Sequence, residues 1–237
     1  MLETILITGA SRGIGLALAR ELVSHGNRVF AGCRKPGSAA GLSALEAKHP
    51  DLLSVVTLDV DSDSSVAAAA KAVIAKNPAL DALVNNAAVF PEEGNESILD
   101  MDLAHFRAAF ETNVLGVIRV TRAFLPLLEK AKNPRVVNIS SGAGSISDKT
   151  DFGYYAYSAS KAALNMVTRA MAAEFKPRGI AFAAVSPGWV RTEMGGPNAP
   201  LTPEESARSL ANTIAKLSMK ETSAFLDRDG GGHECRW

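Results

Sequence analysis

The chain has two cysteines, Cys33 and Cys235. They lie far apart, without a CxxC or a histidine at ligand spacing, so neither a disulfide framework nor a zinc site is suggested. Four histidines, His25, His49, His105 and His233, share no motif and read as surface or packing residues. His233-Glu234-Cys235 could resemble a metal cluster, but three consecutive ligands without a further partner are weak support, and no metal is expected. Charge of one sign is also missing: 25 basic residues offset 25 acidic ones, which removes the basic excess of an electrostatic nucleic-acid binder. No apolar run approaches the roughly 18 residues of a membrane span. The start, Met1-Leu2-Glu3-Thr4, enters a short apolar stretch with no basic region before it, as a first strand does and a secretory signal does not. These absences point to a reducing, cytoplasmic home without nucleic-acid or membrane partners, and leave small neutral or anionic ligands open.

What is present is an alternation. Apolar, β-branched runs occur at Thr4–Thr8, Arg28–Gly32, Leu53–Asp59, Ala82–Asn85, Arg135–Ser140 and Ile180–Ser186. Between or after them, helical periodicity marks Ile14–His25, Ser38–His49, Ser64–Lys76, Leu103–Lys130, Tyr155–Lys176 and Pro203–Leu217. Strand alternating with helix is the signature of βαβ units and a doubly wound α/β fold with a parallel sheet covered on both faces. Runs such as ILIT and VVNIS are nearly continuous in apolar residues, as strands buried on both faces are. No linker or repeat divides the 237 residues, so one domain over 1–237 is expected. Long irregular connections at Phe90–Asp100 and Pro187–Pro203 follow strands, where ligands bind in such sheets.

The first strand runs into G9-A-S-R-G13-I-G15 and then a helix. Glycines there allow a tight turn, close approach of backbone to a diphosphate, and a helix N-terminus facing the anion. The spacing is G-x-x-x-G-x-G, and a lone glycine cluster also fits a flexible turn; its place between first strand and first helix favours the nucleotide. Asp59, ending the third strand, can accept from an adenine amino group or cap a helix. Asn85 and Asn86 end the fourth strand, where small Ala87 lets a ring lie against backbone.

All three tyrosines fall between Tyr154 and Tyr157, and Tyr157 has Lys161 four residues on. With T8-G-A-S-R-G-I-G15, N85-N-A87, Asn113 in ETNVLG, Ser140-Ser141 and P187-G-W-V-R-T192, the order of motifs resembles the short-chain dehydrogenase/reductase family over nearly the whole chain. Looser features, the GSISDKTDFGYYAYSASKAALNM segment, MGGPNAP and the terminal FLDRDG…W, look like its C-factor and sniffer-type carbonyl reductase branch. The resemblance implies a single Rossmann-like domain with a mostly parallel sheet of about seven strands. It implies NAD(H) or NADP(H) as cofactor, and hydride transfer at a carbonyl or alcohol carbon. It further implies cofactor contacts from Gly9, Ser11, Arg12, Gly13, Ile14 and Gly15, from Asp59, Val60, Asn86 and Ala87, and from Tyr157, Lys161, Pro187, Gly188, Val190 and Thr192. Thr192 matches the residue that bonds the nicotinamide carboxamide.

Ketone reduction needs a proton at oxygen as hydride reaches carbon, and a phenol with pKa near 10 is a reluctant partner in reverse. A cation beside the phenolate favours its ionised form. Positions i and i+4 share a helix face, so Lys161 can sit near Tyr157 and reach the cofactor ribose. By resemblance Ser141 orients the reacting oxygen, and Asn113 holds a water linking Lys161 to solvent. The serine-to-tyrosine spacing is lengthened at 145–153, so this loop joins the other two as a substrate wall; Phe152, Tyr154 and Tyr155 could line it, though packing suits them better. Family members are mostly dimers or tetramers, so a homodimer or homotetramer is expected, packed through Leu103–Lys130 and Tyr155–Lys176.

NAD-selecting folds place an acidic residue at the end of the second strand. Here Cys33 occupies that place, followed by Arg34, and Arg12 can approach from the other side, so NADP(H) is expected to be preferred, NAD(H) remaining open. A rival reading is a nucleotide-occupied signalling or scaffold protein of the same fold without relevant turnover. A hydrolase using Ser141 finds no G-x-S-x-G elbow and no histidine in a triad context.

Overall fold

The computed structural model describes residues 2–92, 94, 96–228 and 235–237. His233 and Glu234 of the weak metal reading lie outside them, and no metal-holding cluster occurs among the described residues. Seven strands, β1 (Thr4–Ile7), β2 (Arg28–Cys33), β3 (Leu53–Thr57), β4 (Ala82–Asn85), β5 (Arg135–Ile139), β6 (Ala181–Val185) and β7 (Phe225–Leu226), form one sheet in the order 3-2-1-4-5-6-7. Every pairing is parallel. Helices α1 (Gly13–Ser24), α2 (Ala40–Lys48), α3 (Asp63–Lys76), α4 (Ala104–Phe110), α5 (Gly116–Leu128), α6 (Tyr155–Phe175) and α7 (Pro203–Lys216) complete the Rossmann-like α/β domain.

Strands with both faces buried explain the continuous apolar runs. In β1, Ile5 and Ile7 join Val29, Ala31, Val84 and Val137 beneath α1 and α7. Leu6 points the other way and joins Phe30, Leu83, Val136 and Phe182 beneath α3, α5 and α6. The period-two alternation of Cβ directions thus supplies two cores from one set of strands. Chain order reverses between β1 and β4, and a crevice opens beyond the carboxyl ends of strands at that switch point.

The Leu103–Lys130 reading is refined: the chain is helical from Ala104 to Leu128, but a π-helical turn, Glu111–Leu115, which contains Asn113, lies between α4 and α5. The seventh strand of the expected sheet is β7, only two residues long, too short to leave a periodic signal in the sequence; it pairs with Ala184 and Val185 of β6.

Candidate active site

The turn after β1 is built so closely that side chains have no room. Gly9 has φ +65°, and a Cβ there would lie 2.8 Å from the Ala87 Cα. At Gly15 a Cβ would stand 2.5 Å from the Gly9 carbonyl oxygen and 2.6 Å from Asn86 Nδ2. Thr8 Oγ1 accepts from the amides of Asn86 and Ala87, each at 3.0 Å. Asn86 Nδ2 returns bonds to the Thr8 and Gly9 carbonyls at 2.9 and 3.2 Å. The end of β4 therefore braces the glycine turn, a role for Thr8 that the sequence did not single out. Helix α1 starts at this turn with no side-chain cap and no acidic residue in its first turn. A helix N-terminus with open amides beside bare backbone suits a diphosphate, so the residues present fit a dinucleotide.

A cleft of about 1160 Å³ opens over this turn and continues to the ends of β4 and β5. Its nucleotide end is lined by Gly9, Ser11, Arg12, Gly13, Ile14 and Gly15, and its flank by Arg34, Asp59, Val60, Asn86 and Ala87, beside Cys33. Tyr157, Lys161, Pro187 and Thr192 line the other end. The Thr192 methyl group stands over the glycine turn, 3.2 Å from where a Cβ on Gly13 would be. Gly188 and Val190 stay out of this lining: Val190 is buried and bridges to Leu201, while Gly188 faces Leu201 and Arg228. Their part is to shape the turn that presents Thr192. Arg34 is exposed, and Arg12 pairs with Glu193 across the lip. Asp59 accepts from the Asp61 amide at 3.2 Å and so forms a turn at the cleft's edge.

At the chemical end Tyr157 is half-buried on the cleft wall, and the Ser141 hydroxyl is near enough to favour its ionised form. Ser141 itself accepts from the Ala143 amide at 3.1 Å, which fixes its side chain. Lys161, 2 % exposed, donates from Nζ to the Ile139 carbonyl at 2.8 Å. Its ammonium lies 5.6 Å from the Tyr157 ring centroid. Gly144 lets the turn after β5 pack closely on α6, since a Cβ there would sit 2.8 Å from the Lys161 carbonyl carbon.

Burial pushes the phenol above its usual pKa, and the nearby Ser141 hydroxyl only partly offsets this. Lys161 was expected to hold the phenol low; in the protein alone, desolvation dominates and the shift is upward. The same burial lowers Lys161 to about 8. Asn113 is wholly buried. Its Nδ2 donates to the Val89 carbonyl and the Ser160 hydroxyl, each at 3.0 Å, and its Oδ1 accepts from the Val89 amide at 2.9 Å. Both amide hydrogens are committed, so its side chain acts first as a strut between β4's exit loop and α6.

Phe152 is exposed, Tyr155 packs with Met101, Ala109 and Ala156, and Tyr154 packs against Phe90 at 5.3 Å. Residue Phe90 lines the cleft and meets the Tyr157 ring edge-on at 4.9 Å. Glu92, not anticipated from sequence, lines it as well.

Residues 3–200 match the model of the short chain dehydrogenase family. Among solved structures, carbonyl reductase Sniffer of D. melanogaster is 31% identical with a TM-score of 0.94, covering 100% of both chains. The NADPH-bound carbonyl reductase from chicken fatty liver is 35% identical with a TM-score of 0.92, covering 100% of this chain and 99% of its own. C-signal of Myxococcus xanthus is 41% identical over 64% of this chain and 90% of its own length. With its fold, its glycine turn and its whole length aligned on such relatives, the chain belongs to the short-chain dehydrogenase/reductase family of nicotinamide-dependent oxidoreductases, in its carbonyl reductase, sniffer-like branch.

Proposed function

We propose that the protein is an NADPH-dependent carbonyl reductase whose proton-transfer site is Ser141, Tyr157 and Lys161. The observation that carries this reading is the Tyr157 phenol on the wall of a cleft floored by the glycine turn, with the buried Lys161 ammonium 5.6 Å from its ring centroid. Bound in the cleft, the dinucleotide supplies the hydride that a carbonyl carbon accepts. The protein's part is to place the carbonyl oxygen at Tyr157 and Ser141, where the Tyr157 proton passes to it as the alcohol forms. A phenol, un-ionised at neutral pH, is in the donor state, which suits reduction. The phenolate left behind is stabilised by the Ser141 hydroxyl and the Lys161 ammonium. Asn113 is a positioning residue here, bracing Ser160 on α6, and Phe90 makes the adjoining wall apolar.

NADP(H) is preferred in this reading because Cys33, not a carboxylate, ends β2, with Arg34 and Arg12 at the same lip. The name of the NADPH-bound chicken enzyme agrees. Tyr157→Phe should keep NADPH affinity within about two-fold while turnover with a broad carbonyl panel falls by at least about 10²-fold. Undiminished turnover would reject the assignment. The likeness to C-signal favours a second reading, a nucleotide-holding signalling protein, and absence of any carbonyl turnover in wild type would support it. Exposed Leu103, Leu115 and Met166, on or beside α4, α5 and α6, fit a homodimer or homotetramer; Met166→Lys should lower the mass seen by light scattering, and a wild-type monomer would refute it.

A further inference from the structure

Helix α6 carries Tyr157 and Lys161, yet it starts without a cap of its own. Tyr154, at its N-cap position, is left-handed with φ 52° and offers no side-chain bond, and no acidic residue occupies its first turn. The open first-turn amides of a buried helix end need partners. They come from a residue distant in sequence. Glu92, in the loop after β4 and 5% exposed, accepts from the Ala156 amide through Oε1 at 2.7 Å. Through Oε2 it accepts from the Tyr157 amide at 3.0 Å. A carboxylate bonded at a helix N-terminus is favoured by charge-assisted hydrogen bonds and by the helix dipole.

The same loop holds Tyr157 from other directions. Phe90 packs edge-on against the phenol ring, and Val89 is pinned at both its amide and its carbonyl by Asn113. Met101, at the far end of the loop, packs with Ala156 in a small apolar cluster. Segment 89–101 is thus tied to the first turn of α6 at both of its ends.

We propose that Glu92 is a positioning residue for Tyr157: its carboxylate caps α6 on the amide of Tyr157 itself and so fixes where the phenol stands. This rests on the reading of Tyr157 as the proton-transfer residue. Because Glu92 also lines the cleft, one wall of the substrate space and the proton donor are a single mechanical unit. Displacing a reacting group by about 1 Å can cost on the order of 10²-fold in rate, which sets the scale of the effect.

The test uses Glu92→Gln and Glu92→Asp in the full chain, each also combined with Tyr157→Phe. Glutamine keeps the volume but turns an NH₂ toward one of the two amides, whereas aspartate keeps the charge with shorter reach. Glu92→Gln should lower kcat by about ten- to a hundred-fold, with NADPH affinity by fluorescence titration within about two-fold. Glu92→Asp should retain more of kcat than the glutamine variant. In the Tyr157→Phe background, Glu92→Gln should cause no further loss, because the group it positions is gone. The proposal is overturned if Glu92→Gln keeps kcat within two-fold of wild type, or if it multiplies the Tyr157→Phe defect by the factor seen alone, as a general weakening of the fold would. Should the residual rate be too small to measure, a kcat no lower in glutamine than in aspartate overturns it. Full turnover in Tyr157→Phe alone would instead remove the Tyr157 reading, an outcome separate from any result at position 92.

Discussion

At the scale of single residues, the buried lysine makes the sharpest statement. Lys161 titrates near 8 in the folded protein against an ordinary 10.5, because burial penalises its charge. Between those values the unfolded chain binds a proton that the folded chain has released, so stability rises with pH across that window and is lost as pH falls through about 8. Tyr157 works the other way. Its raised pKa contributes stability below about 10 that disappears at higher pH. Burial also raises the Cys33 and Cys235 thiols, whose contribution falls as pH rises through about 9, so the lysine is isolated by comparing wild type with Lys161→Met. Urea midpoints of the protein without cofactor should show wild type gaining stability relative to Lys161→Met between pH 8 and 10, on the order of 2–3 kcal/mol. Equal slopes in the two proteins would mean the ammonium is better solvated than its burial implies. Tyr157 and Lys161 were legible from sequence because i and i+4 on a helix must share a face. Glu92 was not, since it acts on residues 64 and 65 positions away and only the folded loop brings it there.

Elements meet at the site through backbone contacts that leave little trace in sequence. The turn after β5, a 3-10 segment at Gly142–Gly144, presses on α6 where Gly144 approaches the Lys161 backbone. Beneath it, Ser140 Oγ donates to Asn165 Oδ1 at 2.6 Å, and Asn165 Nδ2 donates to the Gly144 carbonyl at 3.2 Å. A methyl group at residue 144 meets backbone, which cannot swing aside as a side-chain tip can. Gly144→Ala should therefore cost about 1–3 kcal/mol by overpacking, read as a lower urea midpoint, and should depress turnover by shifting α6 against Ser141. A variant as stable and active as wild type would show that the two elements slide freely. Strand positions were legible here because both faces of each central strand are apolar. The π-helical turn at Glu111–Leu115 was not, because its one extra residue per turn preserves a helical pattern on either side while moving Asn113 to face Val89.

Across the whole molecule, the cleft joins two halves of one sheet. The glycine turn and Arg34 belong to the β1–β3 side, Tyr157, Lys161 and Thr192 to the β4–β7 side. A dinucleotide seated along it bridges both sides and stabilises the fold by mass action, by about 2.7 kcal/mol at a hundred times its Kd. In a protein of this size each kcal/mol raises Tm by roughly 2–4 °C. The two nicotinamide dinucleotides differ at the lip, where Cys33 leaves no carboxylate to repel a 2′-phosphate and Arg34 stands exposed. Arg12 is already paired with Glu193, side chains 71% exposed on both partners. Such an exposed pair contributes at most about 1 kcal/mol, less than a guanidinium bonded in bidentate fashion to a phosphate, so a 2′-phosphate can exchange for Glu193. At equal concentration NADP⁺ should thus raise Tm by several degrees more than NAD⁺, and kcat/KM should favour NADPH over NADH on the same carbonyl substrate. Cys33→Asp with Arg34→Ala should shrink or reverse both differences by adding repulsion and removing attraction. Salt should narrow the wild-type gap, since this lip is open to solvent and screened within about 10 Å at 0.1 M. Equal Tm shifts for the two dinucleotides in wild type would dismiss the preference, while a gap untouched by the double substitution would place its origin away from β2.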